Sequence, residues 1–132
     1  MKFALVIGFA TMLGLASVTA GYGQTAMQPT PTTKILAIGT INPGVDRQKV
    51  FEFLPEEVRD TADLYLAGKV DQWYSQQNGN GVVFILNATD TATANEMLEK
   101  LPLGQAHLMS FELIPLGTLA PLRLLQGMTT KP

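Results

Sequence analysis

Lys69 to Ala88, KVDQWYSQQNGNGVVFILNA, constrains the fold of this chain more than any other stretch. Val, Trp, Tyr, Phe and Ile flank two consecutive Asn-Gly pairs, which describes two strands joined by a tight turn. The pattern predicts a strand from Lys69 to Gln76, a turn from Asn78 to Gly81 and a strongly apolar strand from Val82 to Leu86. A type I′ turn needs positive φ at both central positions, which Asn and Gly tolerate best. Two Asn-Gly pairs in a row leave the register open by a residue or two.

A helical pattern precedes this hairpin and another follows it, with one more strand outside each helix. Lys34 to Ile41, KILAIGTI, is the first strand and is apolar on both faces. Val45 to Leu54 fits no single period, although Val50, Phe51 and Phe53 read as buried. Pro55 suits the first turn of a helix, with Glu56 and Glu57 at the positive end of its dipole. Val58, Ala62, Tyr65 and Leu66 form its apolar stripe, and Gly68 ends it. After the hairpin, Asp90 is an N-cap and Ala94, Met97, Leu98 and Leu101 form a second stripe, which Pro102 stops. A loop then runs to Leu108. Met109 to Leu116 is the last strand. Pro115 cannot donate to a ladder, so that end is an edge or lies past the pairing.

The order β-α-β-β-α-β predicts an α+β, ferredoxin-like domain: a four-stranded antiparallel sheet with helices on one face. The first and third strands are apolar on both faces, so the helix-free face needs its own cover. A second copy of the same face is the simplest one, because most homo-oligomers are two-fold symmetric. The expectation is a homodimer or higher homo-oligomer with its sheets packed together.

The flanks carry other signals. Residues 1–20 read as a secretory signal peptide: Lys2, an apolar run from Phe3 to Leu15, then small residues up to Ala20. The run is short for a full span of about 20 residues. The expected location is secreted or periplasmic, with no membrane association after cleavage. Residues 21–33 are rich in Gly, Pro, Thr and Gln and read as a flexible leader. The domain is placed at 34–126, followed by a short tail at 127–132. Leu119 to Leu125 is an apolar stretch of the kind that covers a sheet, its own or a partner's.

Composition removes several function classes. With 9 basic and 11 acidic residues and a net charge of −2, the chain does not present a nucleic-acid surface. It has no cysteine, which excludes disulfides, thiolate metal sites and a cysteine nucleophile. One histidine, His107, leaves no His-based metal cluster. No phosphate loop, metal spacing, nucleophile elbow or dinucleotide fingerprint is present, and no cofactor is expected. Asn87-Ala88-Thr89 matches the N-glycosylation sequon.

A resemblance enters at Trp73. From there through the second helix to Leu101-Pro102-Leu103, and on to Phe111-Glu112-Leu113, the chain resembles the muconolactone isomerase-like family. The shared features are a Trp in the second strand, an apolar third strand, a capped short helix ending in Leu-Pro-Leu, and an apolar-Glu-apolar triplet in the last strand. The resemblance covers residues 34 to 122 and implies a dimeric α+β barrel. It also implies cofactor-free proton transfer on a small lactone or related carbonyl compound. The family's isomerases carry an Arg after the strand-two Trp and a His in the hairpin. Here Tyr74 follows Trp73, and the hairpin holds Gln77, Asn78 and Asn80. A shared fold does not fix a function.

The candidate catalytic residues are Glu112, Asp71 and His107. A Glu112 carboxylate facing an apolar cavity would move a proton beside a carbonyl; alternation places it opposite Phe111 and Leu113, where it would simply be solvated. Asp71 and Trp73, two residues apart on one strand, would floor a pocket, or Trp73 would fill core or interface. His107 is a general base or a solvated loop residue. Trp73, Tyr74, Tyr65 and Gln72 are the candidate substrate-binding walls. The alternative to an enzyme is a non-catalytic module that holds a small apolar molecule, or a structural dimer.

Overall fold

The computed structural model describes residues 28–125; the signal-peptide reading, most of the leader and the extreme C-terminal tail lie outside them. In chain order the elements are β1 (Thr32–Ile41), α1 (Arg47–Leu66), β2 (Val70–Ser75), β3 (Gly81–Leu86), α2 (Thr91–Glu99), α3 (Pro102–Gln105) and β4 (Met109–Gly117), followed by a 3-10 turn over Ala120–Leu125. No helix among the described residues is long and apolar enough to cross a membrane.

The four strands form one antiparallel sheet in the order β2-β3-β1-β4. This is the α+β arrangement that the element order predicts, and it is compatible with a ferredoxin-like fold. The period of two divides each strand between two faces. Ile35, Ala37 and Gly39 of β1 are buried beside Phe84 and Leu86 of β3, and Ala94, Leu98 and Leu101 close this core from the helical side. A second cluster joins Val50, Leu103, Leu108 and Met109. The other face carries Leu36, Ile38, Val83 and Ile85, all half-buried, and no described helix covers it.

Helix α1 departs from its expected course. It begins at Arg47, well before Pro55, which lies inside it. The start is fixed by Asp46, whose side chain accepts the Gln48 N–H at 2.9 Å. Pro55 has no N–H to give the Phe51 carbonyl, and both residues are exposed, so water can serve that carbonyl on the solvent side of the helix. Phe51 was expected to be buried and is 61% exposed. The longer helix also turns its seam. Val50, Leu54, Glu57, Thr61 and Leu64 face inward, while Val58, Tyr65 and Leu66 of the expected stripe are exposed.

The hairpin turn is not type I′. Gln76 and Gly81 close the loop, with the Gln76 N–H donating to the Gly81 carbonyl and the Gly79 N–H to the Gln76 carbonyl, both at 2.9 Å. Gly79 alone in this loop has positive φ, at 69°. Pro102 does not simply stop a helix: α2 ends at Glu99, and Pro102 opens α3 at its first position, inside the stretch expected as loop. Finally, β4 is an edge strand, so Glu112 lies at the sheet margin and not at its centre. Pro115, opposite Ile35, accords with that edge.

Candidate functional site

The helical side of the sheet does not close completely. A cavity of about 560 Å³ lies between α1 and the sheet, near the β2–β3 loop. Helix α1 contributes Val50, Phe51, Leu54 and Val58, and the sheet contributes Trp73, Phe84 and Met109. Its size suits a small organic molecule, and its walls are mainly apolar with a few polar groups.

Glu57 is the polar group that most distinguishes this cavity. It lies on the inner seam of α1, one turn before Thr61, and both line the cavity. Its side chain is buried, and Oε2 accepts the Leu103 N–H at 2.8 Å. That bond joins α1 to the first turn of α3, whose N-cap residue Leu101 has no side chain able to cap it. Among the described residues, no side-chain oxygen fully shut away from solvent lacks a partner. The second Glu57 oxygen is therefore not sealed in the core, and the residue is one of the cavity's lining residues. Burial pushes the Glu57 carboxyl above its ordinary value of 4.5; the Leu103 N–H opposes this, and the nearby Asp60 charge adds to it.

The expected binding residues fall in different places. Trp73 lines the cavity and stacks on Tyr65, with ring centroids 4.7 Å apart and planes 12° from parallel. Tyr65 thus backs a wall and is not itself one. Tyr74 contributes to the rim. Its hydroxyl donates to Gln72 Oε1 at 2.8 Å, and Gln72 is not among the cavity walls.

The three expected catalytic residues do not line the cavity. Glu112 is exposed opposite Ile38, on the helix-free face. Asp71 sits in an irregularity of β2 between Val70 and Gln72 and pairs with Lys34 at 3.2 Å. The irregularity breaks the period of two on which a shared face with Trp73 depended. Lys34 also donates to Asn87 Oδ1, so Asp71 belongs to a surface polar cluster. His107 is exposed after α3 with φ of 54°, and its carbonyl accepts the Asn42 Nδ2–H at 2.8 Å.

Glu57 was legible only in part. Beside Pro55 it reads as a first-turn acid, whereas a helix begun at Asp46 puts it seven residues after Val50, on the apolar seam. Among the described residues no cluster of three or more His, Cys, Asp or Glu could hold a metal ion. Neither the family models nor the curated proteins give a match to this chain.

Proposed function

We propose that this protein binds a small, largely apolar molecule in the cavity between α1 and the sheet. The observation that carries the reading is an apolar cavity with one buried acidic residue, Glu57, in its lining. The muconolactone isomerase-like resemblance supports the same class of ligand. On this reading the chain is exported and dimeric, with the helix-free faces of two copies packed together. The half-buried Leu36, Ile38, Val83 and Ile85 and the exposed Ile114 of that face support the dimer.

Binding is tested with the neutral fluorophore N-phenylnaphthylamine. Trp73 is the chain's single tryptophan and lines the cavity, so energy transfer from it reports occupancy. Saturable transfer is expected; its absence would remove the reading.

A second reading, cofactor-free proton transfer, is favoured by the burial of Glu57. A carboxyl group whose pKa lies nearer neutrality both gives and takes a proton readily. Glu57→Gln should then abolish deuterium exchange at the carbon beside the carbonyl of a butenolide probe while retaining fluorophore binding. Glu112→Gln should leave exchange unchanged. Exchange that persists in Glu57→Gln eliminates the proton-transfer role.

A further inference from the structure

The two ends of the cavity differ in charge. Arg47 lines it at the hairpin end, where Nη1 lies 3.4 Å from the Gly79 carbonyl oxygen. Glu57 lines it further along the same helix, about 15 Å away by helical rise. Among the described residues the ion pair found joins Lys34 to Asp71, and Arg47 has no carboxylate partner. Between Arg47 and Glu57 the walls are Val50, Phe51, Leu54 and Trp73. Glu57 is buried and, once ionised, repels a second negative charge, whereas Arg47 is exposed and cationic. An anion therefore has one favourable position, at the mouth.

We propose that the ligand is an amphiphilic monocarboxylate, bound with its carboxylate outward on Arg47 and its apolar body inward toward Glu57. The inference rests on the reading of this cavity as a small-molecule site. A guanidinium suits the head group because it donates two parallel hydrogen bonds to a carboxylate. The apolar walls suit the body.

The test compares decanoate with decanol, and phenylbutyrate with phenylbutanol, by calorimetry on the purified protein. Each acid should bind about tenfold more tightly than its alcohol. Arg47→Gln should erase that preference and leave alcohol binding intact. Lys49→Gln, an exposed neighbour outside the cavity walls, should keep it. Acid and alcohol binding equally, or a preference that survives Arg47→Gln, would overturn the proposal while leaving the cavity a binding site. Failure of all four compounds and of the neutral fluorophore would overturn both readings.

Discussion

Replacing Glu57 by Gln separates its two roles, because the amide oxygen still accepts the Leu103 N–H while the group no longer titrates. The folded pKa is raised above the unfolded one. Below about pH 4.5 both states hold the proton, and the favourable contribution of the neutral group is complete. As pH rises through the folded value, the native state must either keep a proton that the unfolded chain has released or bury a charge, and that contribution is lost. The wild type should therefore lose stability relative to Glu57→Gln on going from acid to neutral pH. A single group can account for a slope of at most about 1.4 kcal/mol per pH unit. Urea unfolding followed by Trp73 fluorescence, at intervals from about pH 4 to about pH 8, measures the difference between the two proteins. Other titrating groups cancel in that difference. Glu57→Leu supplies the contrast, because it leaves a buried N–H without its acceptor and should cost about 1–3 kcal/mol at acid pH. Parallel pH profiles for wild type and Glu57→Gln would refute the reasoning, since burial would then not be acting on this carboxyl.

Three further outcomes follow from local geometry. His107 holds a φ of 54° that side chains rarely adopt, so His107→Gly should raise stability by about 1 kcal/mol in the same urea assay. Gly81→Ala should destabilise by about 1–3 kcal/mol, because a Cβ there would stand 1.9 Å from the Gly39 carbonyl oxygen and force β1 and β3 apart. Ile38→Glu on the helix-free face should convert a dimer to monomer in sedimentation without unfolding it; a wild-type monomer would sink the dimer proposal.

The sequence by itself determined the order of the four strands and the two longer helices, but not the short α3. Continuous apolar runs, the helical stripes, the Asp90 cap and the hairpin composition are local signals, and each acts within a few residues. They place Leu98 inward before any contact is known, whereas strands apolar on both faces do not say that Ile35 and Phe84 are the residues that meet the helices. The role of each glycine was not legible in the same way. Gly79 is required by its backbone angle, whereas Gly81 is required by space, because a strand distant in sequence passes against it.

Only the tertiary structure decided the site. Asp71 left the expected pocket because of a strand irregularity that no composition marks. Glu112 lies opposite Ile38 on the helix-free face, the solvated alternative that its alternation with Phe111 and Leu113 had offered, and only the sheet showed which face the cavity lies on. Glu57 entered the site because α1 starts at Arg47 and α3 brings the Leu103 N–H to it across 46 residues of chain. A carboxylate at a helix start and one on a buried seam look alike in sequence. What separates them is the desolvation imposed by neighbours that arrive only when the chain has folded.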